Sequence, residues 1–215
     1  MGSTTIGAVD GTLYYIAAFG VLLFFAIVFS MVYFAVRFRA SRNPRATEMP
    51  GNNLLEALWI LLPTLLALSM FFYGLTGYNF LRRPPAGAFE ATVHARQWSW
   101  LFEYPDGSKS SDLVVPAGRD VRLTVVSSDI IHGFYLPGYR IQIDAVPGMK
   151  TYAWFKASRI GAFDILCSVY CGTDHSAMLA KLFVLPPDKF DEWRKGGGEA
   201  LSGFALPALK SAGDD

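Results

Sequence analysis

The residues best suited to chemistry lie in one short stretch late in the chain. Cys167 and Cys171 are its only two cysteines, and His175 and Met178 follow within seven residues. A second histidine, His132, stands well upstream, in the segment Asp-Ile-Ile-His-Gly of residues 129–133. Thiolate, imidazole and thioether are ligands that suit copper, whereas magnesium and calcium prefer oxygen. The residue types and their spacing therefore favour a copper site that two separate segments close.

Two other interpretations of the same residues stay open. Two cysteines four residues apart can form a disulfide in an oxidising compartment, and cysteine with histidine is also a ligand set for zinc. A structural zinc site has no use for methionine, and a mononuclear blue-copper site needs only one cysteine. Two thiolates, each able to bridge, favour a pair of copper ions. A non-redox, membrane-anchored β-domain with a disulfide or zinc is the alternative.

Short alternating segments on either side predict the domain that positions these residues. Residues 120–128 alternate between apolar and polar side chains, and His132 lies just beyond them. A short apolar run at 163–166 leads into the cysteine-containing loop, and residues 179–185 alternate again after it. Such runs are typical of strands. We therefore expect the ligands to come from loops at one end of a β-sandwich, where a rigid sheet maintains their geometry.

The sequence Cys-Ser-x-x-Cys-Gly-x-x-His-Ser-x-Met ends at Met178, and Ser-Ser-Asp-Ile-Ile-His ends at His132. Ile-Asp-Ala-Val-Pro-Gly follows around Asp144. Together these motifs resemble subunit II of cytochrome c oxidase, and the resemblance covers nearly the whole chain. It implies an all-β, cupredoxin-like sandwich that carries two copper ions, the dinuclear centre called CuA.

The resemblance also implies a ligand set. The two cysteines would bridge the copper ions as thiolates, and the two histidines would be terminal ligands. The methionine would be a weak ligand of one copper, and one backbone carbonyl would be a weak ligand of the other. The implied ligands are His132, Cys167, the carbonyl of Val169, Cys171, His175 and Met178.

Val169 departs from the family pattern, which usually has glutamate at this position. In the family the carbonyl of that glutamate binds copper, and its side chain reaches a magnesium ion at the border with the catalytic subunit. Val169 keeps the carbonyl and loses the carboxylate, so we expect no magnesium contribution from this chain. The change also keeps open a CuA subunit of a nitric oxide reductase or another haem–copper relative.

The N-terminal part predicts a hairpin of two membrane-spanning helices. Residues 13–36 form a nearly continuous apolar run, and residues 54–76 form a second one that only Glu56 and Pro63 interrupt. A span needs about 20 such residues. Four arginines lie in the loop between the runs and two follow the second, which predicts a cytoplasmic loop. Both termini and the β-domain would then lie on the outer, periplasmic side of a bacterial inner membrane or its equivalent.

These patterns divide the chain into three regions. Residues 1–85 would contain the N-terminal segment and the transmembrane hairpin. Residues 86–187 would form the cupredoxin domain. Residues 188–215 would contain a short amphipathic helix, with Phe190 and Trp193 on one side, and a tail.

The resemblance assigns roles to three more residues. Gln-Trp-x-Trp-x-x-Glu-Tyr is similar to the family's aromatic strand, whose first tryptophan accepts the electron from cytochrome c; here that residue is Trp98. Glu56 stands three residues before Trp59, like the glutamate at the entrance of the proton channel called the K-channel. Asp144 would support the metal site from behind its ligands or contact the catalytic subunit.

Composition limits the remaining possibilities. The net charge is +1, and no basic patch is interleaved with aromatic residues, so nothing indicates a nucleic-acid partner. Three histidines are too few to bind haem and a third copper as well. We therefore expect electron relay here, with no haem in this chain. The donor would be cytochrome c or another small protein. Haem–copper subunit I would reduce oxygen and pump protons, and subunit III is also expected as a partner.

Overall fold

The computed structural model describes residues 4–45, 48 and 50–196. Within them the chain forms two long apolar helices, then a β-sandwich and a short helix. The tail predicted beyond that short helix, from residue 197 onward, lies outside the described residues. Residues of the long helices and residues of the sandwich form two compact units.

The long helices are α1, Thr5–Arg37, and α2, Asn53–Leu81. Their most apolar windows have mean hydropathies of 2.5 and 2.0, so both are long and apolar enough to cross a membrane. They extend further at both ends than the predicted spans of 13–36 and 54–76. Those spans were bounded by apolarity alone, whereas a helix continues through polar residues until its end is capped.

The caps are visible at both N-termini. The Thr4 hydroxyl oxygen accepts a hydrogen bond from the Gly7 amide at 3.2 Å. The Asn52 side-chain oxygen accepts hydrogen bonds from the amides of Leu54 and Leu55, both at 3.1 Å. Such caps satisfy amides that have no partner inside the helix.

Aromatic and hydroxyl groups pair α1 with α2. The rings of Tyr15 and Tyr73 stack with centroids 4.8 Å apart, and the hydroxyl oxygens of Tyr15 and Ser69 lie 2.8 Å apart. Most large apolar side chains of both helices are exposed in the isolated chain. Such surfaces need lipid or a partner protein to cover them.

Two five-stranded sheets form the sandwich. In chain order the strands are β1 Phe89–Arg96, β2 Ser99–Glu103, β3 Lys109–Ser110, β4 Leu113–Pro116, β5 Asp120–Ser127, β6 His132–Leu136, β7 Ile141–Ala145, β8 Thr151–Lys156, β9 Gly161–Cys167 and β10 Leu179–Leu185. The first sheet has the strand order β3-β2-β1-β5-β8, and the second has the order β4-β10-β9-β6-β7. The pairs β1–β5 and β4–β10 are parallel.

The core lies between the two sheets, where alternate residues of facing strands meet. Val93, Phe102, Leu123, Phe134 and Leu182 are all fully buried there. This is the period-two burial that the alternating sequence segments predicted. The segment 90–104 forms two antiparallel strands, because the chain turns at residues 97 and 98.

The sandwich unit takes in residues from Phe80 onward, ahead of the predicted boundary at residue 85. The ring of Phe80 packs edge-on against Trp154 at 5.1 Å, and the Arg82 guanidinium lies 4.6 Å from the ring centre of Tyr152. At the other end of the domain, the short helix α3, Pro187–Lys195, buries the two aromatic residues predicted for its apolar side.

Candidate metal centre

Three neighbouring strands of the second sheet bring the predicted ligands to one end of the sandwich. His132 is the first residue of β6, and Cys167 is the last residue of β9. Met178 directly precedes β10, and His175 begins a one-turn 3-10 helix just before it. Because β6, β9 and β10 are adjacent, the ends that carry these residues meet.

The donor atoms converge on Cys171. Its sulfur lies 3.8 Å from the sulfur of Cys167, 3.5 Å from Nδ1 of His175 and 3.9 Å from the sulfur of Met178. One donor atom each from His132, Cys167 and Cys171 lie within 4.8 Å of one another. The cysteines are not joined, because a disulfide would place their sulfurs about 2.05 Å apart. The five side chains predicted as ligands are thus brought together.

The carbonyl of Val169 lies beside this cluster. The thiol of Cys167 donates to it at 3.2 Å. The backbone at Val169 lies very close to β6, since a Cβ on Gly133 would lie 2.9 Å from the Val169 amide nitrogen. Gly133 therefore allows two ligand-bearing segments to approach each other closely.

His132 provides the clearest sign that the cluster is built for a metal. The residue is fully buried, and its Nε2 lies 2.8 Å from an oxygen of Asp129. A carboxylate accepts, so Nε2 carries the proton and Nδ1 keeps its lone pair. Nδ1 is buried and has no hydrogen-bond partner among the residues that the structure describes. An unpaired buried nitrogen is costly, and binding a metal through Nδ1 removes that cost.

Asp129 is held as a carboxylate by its neighbours. Burial by itself would raise its pKa. Hydrogen bonds from the Gln97 amide, the His132 ring and the Ile130 amide outweigh burial and lower the pKa to about 2. The negative charge then fixes the orientation and tautomer of the histidine ring. Sequence analysis missed Asp129; its position three residues before a candidate ligand histidine was the available signal.

The pKa of the Cys171 thiol is shifted in the opposite direction from that of Asp129. Burial, followed by the nearby Cys167 thiol, raises its pKa to about 11. In the metal-free protein it is therefore a neutral thiol at physiological pH. Binding a metal requires the thiolate, so binding must release this proton.

The turn between β1 and β2 forms hydrogen bonds to both ligand-bearing segments, the one that ends at His132 and the one that contains Cys171. The Gln97 side-chain amide and the Trp98 indole donate to the Cys171 carbonyl at 3.0 and 3.1 Å. The Gln97 backbone amide donates to Asp129 at 2.6 Å. Gly172 lies against Trp98 with φ of 118°, a conformation that glycine adopts readily. Gln97 was not predicted as a site residue, because its role depends on contacts distant in sequence.

The remaining predicted site residues lie outside the cluster. Trp98 is 36% exposed and touches the metal loop, as described. Asp144 is exposed on β7, where it pairs in register with Gly133. Glu56 is exposed in the first turn of α2 and belongs to the helical unit.

Two apolar helices followed by a sandwich with thiolate, imidazole and thioether donors at one end define a membrane-anchored, cupredoxin-like metal protein. Residues 108–183 match the family described as cytochrome c oxidase subunit II, periplasmic domain. Their range includes all six predicted ligands.

Individual relatives extend the match to nearly the whole chain. The alternative cytochrome c oxidase subunit 2 of Bradyrhizobium diazoefficiens is 30% identical over 99% of this chain and 90% of its own length. Cytochrome c oxidase subunit 2 of Thermostichus vulcanus is 26% identical over 89% of this chain and 75% of its own length. The crystal structure of the periplasmic domain of subunit II of cytochrome oxidase from Bradyrhizobium japonicum is 29% identical. It covers 54% of this chain and 96% of that domain, with a TM-score of 0.52.

The chain therefore belongs to the cytochrome c oxidase subunit II family. This makes it a subunit of an oxidoreductase complex. Family membership implies a copper centre, and the donor set fits one, because soft sulfur and a buried imidazole nitrogen without a partner meet at one point.

Proposed function

We propose that this chain accepts single electrons from cytochrome c, or another small donor protein, at a dinuclear copper centre and passes them to haem in the catalytic subunit. The observation that carries the proposal is the pair of unbonded sulfurs, Cys167 and Cys171, at 3.8 Å within a cluster of histidine and methionine donors. Sulfurs this close can be shared between two metal ions as bridging ligands, and a single-cysteine site would leave one of them unused.

The chain would hold the copper ions through the predicted residues. The two thiolates would bridge, His132 and His175 would bind through Nδ1, and Met178 and the Val169 carbonyl would bind weakly at either side. When bound, the copper pair would supply a one-electron redox couple whose charge is spread over both ions.

The protein keeps this ligand frame rigid and largely dry. His132 and Met178 are fully buried, and Cys171 is 1% exposed. Hydrogen bonds from two strands and one turn fix the ligand-bearing segments in place. A frame that does not rearrange lowers the cost of adding and removing an electron, which is the protein's contribution to the relay.

Trp98 is the proposed point of electron entry. It is the partly exposed aromatic residue whose indole nitrogen contacts the backbone of a ligand residue, at 3.1 Å from the Cys171 carbonyl. His175 is half-buried at the other side of Cys171, and the exposed Tyr170 ring packs edge-on against it at 5.6 Å. We infer that the electron leaves past His175 toward the haem.

The helical hairpin would place these residues relative to the membrane and the partner subunits. The arginine-rich loop between α1 and α2 favours a cytoplasmic location for that loop, with the copper domain on the periplasmic side. Glu56 would then stand at the cytoplasmic start of α2, where it could collect protons for the catalytic subunit's channel. Asp144 is exposed and available for contact with that subunit. Subunit III would complete the complex.

The domain division predicted from the sequence forms part of this proposal. Residues 1–85 anchor the chain, residues 86–187 carry copper, and residues 188–215 follow the copper domain. Haem binding and oxygen reduction coupled to proton pumping belong to the catalytic subunit. Magnesium binding is not proposed here, because Val169 provides no carboxylate.

One observation favours a second candidate within the same class. Val169 stands where the family usually has glutamate, which is compatible with a CuA subunit of a nitric oxide reductase or another haem–copper relative. Uptake of oxygen and of nitric oxide by the complex purified with this chain would separate the two. Turnover with nitric oxide alone would replace the oxidase proposal.

The metal itself is tested on the full chain in detergent. Copper loading should give two copper ions per chain, a purple mixed-valence absorption and a multi-line electron paramagnetic resonance signal. Cys171→Ser should lose all three, while Ser176→Ala, an exposed change in the same loop, should keep them. A colourless protein that takes up one zinc ion, or one whose cysteines form a disulfide, would contradict the proposal.

A further inference from the structure

Two tryptophans on the β1–β2 hairpin lie two residues apart but face different surroundings. Trp98 belongs to the turn and is 36% exposed, whereas Trp100 lies within β2 and is 3% exposed. The inward residues of β2 alternate, so Trp100 points into the space between the two sheets.

Trp100 contacts ligand residues from both segments of the metal centre. Its indole nitrogen donates to the Met178 carbonyl at 3.3 Å. Its ring packs edge-on against the His132 imidazole, with centroids 6.2 Å apart, and against Phe134 at 5.5 Å. One side chain from the first sheet therefore contacts two ligand residues that belong to the second sheet.

Each contact restricts a different motion. The hydrogen bond fixes the backbone of Met178, which follows the 3-10 helix and precedes Leu179, the residue at which β10 begins to pair with β9. The position of this backbone sets where the thioether sulfur lies relative to Cys171. The edge-on contact blocks one side of the His132 ring, while Asp129 holds its Nε2. A ring held at its edge and at one nitrogen cannot rotate away from the cluster.

We propose that Trp100 is a positioning residue for the metal centre: it sets the approach of the weak methionine ligand and the orientation of His132. This inference rests on the copper centre of the proposed function. The strength of a weak axial ligand tunes the reduction potential of a thiolate–copper site. Loosening Met178 should therefore raise the potential, because the oxidised form loses a donor.

The experiment uses the full chain in detergent with two substitutions at this position. Trp100→Phe removes the N–H group and part of the ring. Replacing the Trp100 indole with benzothiophene, through an incorporated unnatural amino acid, removes only the N–H donor and keeps the ring shape. Both proteins should still bind two copper ions. We expect copper to be lost to a chelator about 10-fold more readily, as for other residues that support metal ligands. The reduction potential should rise and the mixed-valence band should shift.

Trp154→Phe is the matched control. Trp154 is equally buried, at 3% exposure, and lies in the same sheet. Its indole nitrogen has no hydrogen-bond partner in the described part of the chain, so the substitution removes a buried indole without touching the metal loop. This variant should keep the wild-type potential and spectrum. A potential and a chelator resistance unchanged by the benzothiophene replacement would overturn the proposal.

A second readout keeps this test separate from the copper proposal. The methyl group of Met178 can be followed by carbon-13 nuclear magnetic resonance in the metal-free chain. The benzothiophene protein should show a more mobile Met178 methyl than the wild type, and the Trp154→Phe protein should not. A Met178 methyl that stays equally ordered would refute the positioning role even if the wild type fails to bind copper. That failure would instead refute the proposed function.

Discussion

Replacing Asp129 with asparagine should weaken copper binding without unfolding the domain. One carboxylate oxygen lies 2.8 Å from His132 Nε2, and the other lies 2.6 Å from the Gln97 amide. The Ile130 amide adds a third donor at 2.7 Å. An amide group has only one acceptor oxygen, so its NH₂ group must face at least one of these donors. The NH₂ group can face the Gln97 amide, and the oxygen then accepts from His132 Nε2 and the Ile130 amide without a charge. If the NH₂ group faces His132 instead, the ring loses its acceptor. In either orientation the charged contact that holds the His132 ring is lost.

The size of the effect follows from the lost contact. A hydrogen bond to a charged group contributes about 1.5–3 kcal/mol. Losing the one that holds Nε2 therefore corresponds to roughly 10- to 100-fold weaker metal binding, at about 1.4 kcal/mol per factor of ten. This agrees with the range found when residues behind metal ligands are replaced. The buried cluster and the sheets are otherwise unchanged.

The assay is a competition between the full chain and a copper chelator of known affinity, combined with chemical unfolding of the metal-free protein. Asp174→Asn is the control. It removes the same charge from the metal loop, and Asp174 makes no side-chain cap to the 3-10 helix that follows it in the described structure. Equal copper affinity in the Asp129→Asn protein and the wild type would refute our account of how His132 is held.

Three further substitutions test the domain. Tyr104→Phe leaves the buried Val114 amide without its acceptor at 2.8 Å, so the free energy of unfolding should fall by about 1–3 kcal/mol. Burial raises the pKa of Tyr104, so above about pH 10 the unfolded chain ionises before the folded one and the free energy of unfolding of the wild type should fall. Chemical unfolding at increasing pH should show a smaller fall for the Tyr104→Phe protein. Gly133→Ala would place a Cβ 2.9 Å from the Val169 amide nitrogen and should destabilise the metal-free domain by about 1–3 kcal/mol; unchanged unfolding would show that the two segments separate freely. Trp98→Ala should slow electron entry from cytochrome c in the assembled complex. The copper spectrum should stay unchanged, because the Gln97 side chain still donates to the Cys171 carbonyl. An unchanged rate of electron entry would show that Trp98 is not the point of entry.

The sequence was sufficient for the parts of the fold that depend on local pattern. Alternation predicted the strands around the metal loop, and two long apolar runs predicted α1 and α2. The helices continue beyond the predicted spans, because capping by Thr4 and Asn52 depends on hydrogen bonds rather than on apolarity. The parallel pairing of β1 with β5 was not predicted, since nothing in either strand specifies a distant partner.

In the candidate site, too, the features with a local sequence pattern were predicted and those that depend on distant contacts were not. Residue types and spacing selected the candidate copper ligands, and the structure brings those side chains together. The residues that hold them, Asp129, Gln97 and Trp100, were not predicted as site residues. Gln97 and Trp100 contact ligand residues that are distant in the sequence. Asp129 contacts His132, three residues away, but the loop between them has no periodic pattern that would indicate the contact. Contacts of this kind depend on the packing of two sheets.

The placement of the ligands at or just beyond the ends of three adjacent strands has a consequence for how this domain can diverge. Donor spacing is inherited from the regular separation of β6, β9 and β10, roughly 4.8 Å from one strand to the next. Mutations elsewhere in the sandwich can accumulate while that separation stays fixed. This offers a physical reason why relatives only 26–30% identical over most of this chain can retain the same domain, and why drift should be slowest at the ligand-bearing end of the sandwich.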